Sequence, residues 1–157
     1  MERSAVVILV DGDSCPVLVR SVLVRASQRR GVAVRFFANQ PMHLESGHQA
    51  TVVRGETVDE ALIRLVEQLV AEDVFPVVVT RDIPLAEVVL ARGAAALNDR
   101  GAVFDAQTIA ERRSLRDAAA EIRASGLESM SRRGGYGPHE KKAFADALDR
   151  TLTRLGV

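Results

Sequence analysis

The stretch Val6–Asp11, which reads Val-Val-Ile-Leu-Val-Asp, decides the fold class of this 157-residue chain. Its first five residues are all apolar and four are β-branched, a composition typical of a strand buried on both faces, as in parallel sheets. A polar segment follows, and Pro16 favours the start of a helix because proline is accommodated in a first helical turn. A buried strand that leads into a helix is the repeating unit of α/β folds.

The same alternation continues along the chain. Beyond the first strand and helix, we predict strands at 32–38, 50–54, 77–80 and 94–97, and helices at 58–72, 84–93, 106–124 and 138–155. The predicted fold class is therefore α/β, a three-layer α/β/α sandwich with a mainly parallel sheet. The length predicts one domain over 1–157. The Gly- and Arg-rich segment 126–138 is predicted to be a mobile loop before the last helix.

Composition excludes several classes of protein. The chain is 47% hydrophobic and 27% charged, which is ordinary for a folded globular protein. A single cysteine, Cys15, excludes an intrachain disulfide and a Cys-rich zinc module, and it favours a cytoplasmic location. Neither a membrane-length apolar run nor a signal-peptide pattern is present, so we expect no membrane partner. The net charge is zero, although residues 100–142 carry nine Arg and Lys against six Asp and Glu.

Polar side chains follow four of the predicted strands. They are Asp11 and Asp13, then Asn39, then Asp82, and finally Asn98 with Asp99. Ligands of open parallel sheets bind beyond the carboxyl ends of the strands, so neighbouring strands would bring these side chains to one edge. Clustered carboxylates repel one another, and a divalent cation would relieve that repulsion. Oxygen ligands suit Mg²⁺ or Mn²⁺, and Glu56 or Asp59 could add another.

Each of these residues also has a purely structural interpretation. Asp13 has the position of a turn residue or helix cap, and Asp59 is equally suited to a first helical turn. Asp11 and Asp82 directly follow buried runs, so they favour a functional site more strongly. Cys15 is predicted to be a packed structural residue, because neighbouring aspartates oppose thiolate formation. A zinc site at His43, Glu45 and His48 is only a weak signal.

Four motifs resemble one protein family. They are Val10–Pro16 (V-D-G-D-S-C-P), Ala38–Gln40 (A-N-Q), Thr80–Ala86 (T-R-D-I-P-L-A) and Gly93–Gly101 (G-A-A-A-L-N-D-R-G). In order and spacing they resemble the motifs of the YaiI/YqxD family, also called UPF0178 or DUF188. By this resemblance the chain is identified as a member of that bacterial family, over about residues 6–155.

The resemblance implies a PIN-like α/β/α domain, a class that includes many metal-dependent nucleases. It implies that Asp11, Asp59 and Asp82 are the catalytic acids and metal ligands, with Asp13 as an additional ligand or a group behind the ligands. The family commonly has aspartate where Glu56 stands, which leaves open whether Glu56 or Asp59 reaches a metal.

These considerations lead to a functional hypothesis. The chain is expected to be a Mg²⁺- or Mn²⁺-dependent nuclease that hydrolyses phosphodiester bonds, with single-stranded RNA as the expected partner. Residues expected to orient water or bind phosphate are Asn39, Thr80, Arg81, Asn98 and Arg100. The arginines at 112, 113, 132 and 133 either follow the nucleic acid backbone or simply face solvent.

Two other functions stay open. A phosphatase of the haloacid-dehalogenase type would use the Asp-Gly-Asp sequence at 11–13, but its chemistry needs a suitably placed lysine, and the chain has only Lys141 and Lys142. Alternatively, the chain is a non-catalytic PIN-like module that binds metal or RNA. Neither the oligomeric state nor the choice between RNA and DNA follows from the sequence.

Overall fold

The computed structural model describes residues 5–45, 47–124 and 135–157, with the backbone alone for 121–124. The strands are β1 (Val6–Asp11), β2 (Ala33–Ala38), β3 (Ala50–Val52), β4 (Phe75–Val79), β5 (Ala95–Leu97) and β6 (Val103–Phe104). The helices are α1 (Val17–Arg30), α2 (Val58–Ala71), α3 (Ile83–Ala91), α4 (Ile109–Ala124) and α5 (Pro138–Leu155). A short 3₁₀ turn covers Gly12–Ser14. In this described part, no helix has the length and apolar character needed to cross a membrane.

The six strands form one sheet in the order β3-β2-β1-β4-β5-β6. All neighbouring pairs are parallel except β5 and β6. The chain winds outward from β1 to β3 and then crosses back to β4, so the winding reverses between β1 and β4. Val10 pairs with Val79 across that junction, which brings Asp11 beside Thr80. In such sheets the ligand site lies where the winding reverses.

Helices cover both faces of the sheet, which confirms the predicted three-layer α/β/α class. Side chains alternate along β1, so Ile8 and Val10 pack with α1 and α5 while Leu9 packs with α2, α3 and α4. Phe144 of α5 is fully buried in the first core and Leu62 of α2 in the second. Burial on both faces explains why β1 and β4 are continuous apolar runs.

The predicted and observed elements differ mainly at their ends. The helix predicted at 106–124 begins at Ile109, because the Asp105 carboxylate accepts hydrogen bonds from the Gln107 and Thr108 amides and forms a turn first. Strand β6 was not predicted, since two residues are too few to show a strand period. The final helix is confirmed at Pro138–Leu155. Of the predicted mobile loop, residues 126–134 lie outside the described residues.

Candidate functional site

A cleft of about 490 Å³ opens at the carboxyl ends of the strands, where the winding of the sheet reverses. Four aspartates line it: Asp11, Asp13, Asp59 and Asp82. Two arginines, Arg81 and Arg116, face the same space, and Ser14, Asn39, Thr57 and Val58 complete its wall. The fold thus brings acids from three separate segments to one place.

Asp11 and Asp82 are joined through a buried hydroxyl. Thr80 is 2% exposed; its Oγ1 donates a hydrogen bond to Asp11 Oδ2 at 3.0 Å and accepts one from the Asp82 amide at 3.0 Å. Burial raises the pKa of Asp11, the Thr80 hydrogen bond partly opposes this, and the charges of Asp13 and Asp82 raise it further. Thr80 therefore supports the cleft from behind Asp11.

Asp59 and Asp82 form a close carboxyl pair. Asp82 caps α3, with its Oδ1 accepting from the Leu85 amide at 3.1 Å. Asp59 stands in the first turn of α2, which Thr57 caps. Burial, the charge of Asp82 and a hydrogen bond between the two carboxyl groups raise the pKa of Asp59 to about 6, and Asp11 adds to this. Part of the Asp59 population is therefore protonated in mildly acidic solution.

Glu56 and Asp59 have different surroundings. The Glu56 carboxylate accepts two hydrogen bonds from the Arg64 guanidinium, at 2.9 and 2.8 Å, and it does not line the cleft. The sequence left open which of the two acids reaches the site. Asp59 is the one that faces the cleft.

Asp13 and Asn39 bind each other across the end of the sheet. The backbone N–H of Asn39 donates to Asp13 Oδ1 at 3.0 Å, and the side-chain Nδ2 of Asn39 donates to Asp13 Oδ2 at 2.8 Å. Asp13 thereby holds the 3₁₀ turn against the end of β2. This arrangement matches the turn-residue interpretation, although both side chains also face the cleft.

The structure does not bring Asn98 and Arg100 to the cleft. Asn98 Oδ1 accepts from the Arg100 and Ala102 amides, both at 2.9 Å, and so forms the turn between β5 and β6. Arg100 lies over the Tyr136 ring, 5.9 Å from its centre, and is 3.9 Å from Glu140. Both residues stabilise the turn and its contact with the start of α5.

Arg116 projects from α4 into the cleft and was not among the residues predicted from the sequence. Arg116 itself donates from Nη1 to Asp117 at 3.1 Å. Its neighbours on the helix face away from the cleft: Arg112 lies over the Phe104 ring and Arg113 pairs with Glu87 of α3. Only the packing of α4 beside α3 distinguishes these arginines, so no sequence signal could have selected Arg116. Arg132 and Arg133 lie outside the described residues.

The cleft has the donor chemistry of a divalent-cation site, but its acids are not gathered into a coordination shell. Among the described residues, no group of three or more His, Cys, Asp or Glu side chains is arranged to hold a metal ion. The loop with His43, Glu45 and His48 likewise holds no such group. Cys15 is buried, and burial raises the pKa of its thiol to about 12, so it is a structural residue as predicted.

The protein is therefore a mainly parallel α/β/α sandwich with an acid-lined cleft where the winding of its sheet reverses. A sequence profile described as the uncharacterized YaiI/YqxD family (DUF188) matches residues 9–154. The chain belongs to this family. It is 40% identical to a UPF0178 protein of Pseudoalteromonas atlantica over 148 residues, covering 94% of this chain and 98% of that relative. A UPF0178 protein of Myxococcus xanthus is 38% identical over 149 residues, covering 94% and 95%.

Proposed function

We propose that this protein is a metal-dependent nuclease that hydrolyses phosphodiester bonds, with single-stranded RNA as the expected substrate. The observation that carries the proposal is the meeting of Asp11, Asp59 and Asp82 in one open cleft with two arginines. Carboxylates that line one cleft favour a cation between them, and the arginines favour a phosphate beside it. Acids without the arginines would support only a cation site.

Each side chain has a distinct part in the proposed reaction. Asp11, Asp59 and Asp82 would hold Mg²⁺ or Mn²⁺. Asp13, which accepts hydrogen bonds from Asn39, would stand behind these ligands. The ion would polarise the phosphate and supply a water of lowered pKa. Asp59 would bind the ion in its deprotonated form, so a proton on Asp59 at about pH 6 and below would compete with the ion. Arg81 and Arg116 bind the reacting phosphate and the adjacent phosphate of the RNA.

Competition between protons and metal gives a test of the cation site. The proton on Asp59 must leave before a divalent ion binds there. Mn²⁺ is therefore expected to raise the melting temperature at pH 8 by more than at pH 5.5. An equal or absent rise at both pH values would contradict binding at this carboxyl pair.

Cleavage of an end-labelled single-stranded RNA, with Mn²⁺ and with EDTA, tests the activity. Asp11→Asn and Asp82→Asn should lose about a hundredfold or more in rate, as expected for groups acting at the reacting phosphate. Glu56→Gln is the matched control, because it removes a neighbouring carboxylate that Arg64 holds outside the cleft. It should cleave like the wild type.

Other results would favour the alternative functions. Equal cleavage by Asp11→Asn and the wild type would identify a contaminating nuclease. Metal-stimulated RNA binding without cleavage would identify a non-catalytic module. Turnover of a small phosphomonoester that depends on Asp11 would identify a phosphatase, although no lysine lines the described cleft.

A further inference from the structure

Arg81 is held from below the cleft by a buried carboxylate. Its Nε donates to Asp99 Oδ2 at 2.6 Å. The Asp99 side chain is 5% exposed, whereas that of Arg81 is 47% exposed and lines the cleft. Asp99 also lines a small cavity with Asp11 and Arg81, so it lies directly beneath the cleft floor. The almost completely buried Asp99 carboxylate thus holds the Arg81 guanidinium, which reaches solvent.

The contact uses one particular nitrogen of the guanidinium group. Bonding at Nε fixes the plane of the group and leaves both terminal nitrogens available. In the described part of the chain, neither terminal nitrogen of Arg81 has a hydrogen-bond partner. Paired terminal N–H groups match the oxygens of a phosphate. An arginine held in this way is preorganised for an anion in the cleft.

The turn that carries Asp99 is itself held from several directions. Tyr136 Oη donates to the Asp99 carbonyl at 2.6 Å, and Asn98 bonds two amides of the turn. Gly101 adopts φ +90° and approaches the backbone of Ala143 in α5. These contacts give a structural purpose to the Asn-Asp-Arg-Gly motif, whose Asn98 side chain does not reach the cleft.

We propose that Asp99 is a positioning residue that orients Arg81 to bind a substrate phosphate in the cleft. The inference rests on the proposed function for the identity of its substrate. Stability alone does not explain the pair, since Arg81 is about half exposed to water, where ion pairs contribute little to stability. The Asn-Asp-Arg-Gly turn then serves as a rigid support for the arginine and makes no contact with substrate.

The sign of one substitution separates positioning from simple electrostatics. Asp99→Asn removes a negative charge beneath the cleft. Long-range electrostatics alone would make the protein bind RNA more tightly. Loss of positioning would instead weaken binding, because Arg81 would no longer be fixed in its plane.

Binding of a fluorescent ten-nucleotide single-stranded RNA in Ca²⁺, which should not support cleavage, tests the proposal when it is followed by anisotropy. Arg81→Gln and Asp99→Asn should each weaken binding by about five- to tenfold, as expected for one charge-assisted contact. The double variant should bind no more weakly than Arg81→Gln. Arg92→Gln is the control, because it removes an arginine with an equivalent Nε–carboxylate pair at the far end of α3.

Equal or tighter binding by Asp99→Asn would overturn the proposal, as would wild-type binding by Arg81→Gln or no binding by the wild type. Binding that depends on both residues, without cleavage in Mn²⁺, would refute the nuclease and leave the positioning role intact.

If Asp99→Asn does not fold, the wild-type NMR signal of Arg81 Nε–H decides. It should exchange with water more slowly than that of Arg92, whose partner Glu67 is half exposed, and shift when RNA is added. Equal exchange rates or no shift would overturn the proposal.

Discussion

Replacement of Thr80 by valine tests the support of the acidic cleft. Valine has nearly the same shape, so the substitution removes only the hydroxyl. That hydroxyl makes two hydrogen bonds at 3.0 Å, one to Asp11 and one from the Asp82 amide. Both would be lost behind the cleft floor, where Thr80 is 2% exposed and water has little access.

The expected cost follows from those two contacts. An unsatisfied buried polar group costs about 1–3 kcal/mol. Asp11 is only partly buried and regains some solvation, so the estimate for Thr80→Val is about 2 kcal/mol, near the middle of that range. The pKa of Asp11 should also rise further, because the Thr80 hydrogen bond is the contact that lowers it.

The chain contains a matched control. Thr151 in α5 is 5% exposed, and its Oγ1 has no hydrogen-bond partner among the described residues. Thr151→Val should therefore leave the free energy of unfolding unchanged or raise it. Urea unfolding with a common m-value measures both variants. Equal effects at the two positions would refute the reasoning, because they would show that the Thr80 hydrogen bonds contribute nothing specific.

Three further predictions concern other parts of the molecule. In EDTA, Asp59 should make the protein less stable as pH rises from about 4 through about 6, because its folded pKa of about 6 lies above the ordinary 3.8. The free energy of unfolding should therefore fall with pH over this range, and Asp59→Asn should make that fall smaller. An unchanged dependence on pH would contradict the raised pKa. Gly101→Ala should cost about 2 kcal/mol, since a Cβ there would lie 2.6 Å from the Ala143 carbonyl at φ +90°; an unchanged urea midpoint would contradict that close approach. Native Cys15 should label very slowly with a thiol reagent at pH 8 and rapidly in urea, and equal rates would contradict its burial.

The balance of charge in the cleft has a consequence for ligand choice. Asp11, Asp59 and Asp82 repel an anion approaching alone, whereas Arg81 and Arg116 attract it. A cation bound among the acids would reverse the local field and let the arginines act in the same direction. RNA affinity should therefore be higher with a non-supporting divalent ion such as Ca²⁺ than in EDTA. Anisotropy with the labelled strand, at matched ionic strength, measures this difference.

The sequence by itself determined the α/β class and the strand-end acids. The continuous apolar run of β1 and the strand–helix alternation are local patterns, and they predicted the confirmed sandwich. Asp11 and Asp82 were recognisable because Asp11 ends one buried strand and Asp82 comes three residues after another. The family motifs likewise depend only on local sequence. Strand β6 escaped prediction because its two residues carry no measurable period.

Tertiary structure decided which polar side chains share a space. Glu56 and Asp59 are three residues apart, yet only the Arg64 contact and the packing of α2 direct one outward and the other into the cleft. Asn98 was predicted to face the cleft but serves the β5–β6 turn, because the chain reverses at the end of β5. Arg116 enters through the packing of α4 beside α3. Side-chain direction depends on contacts between distant segments, and a linear pattern does not contain that information.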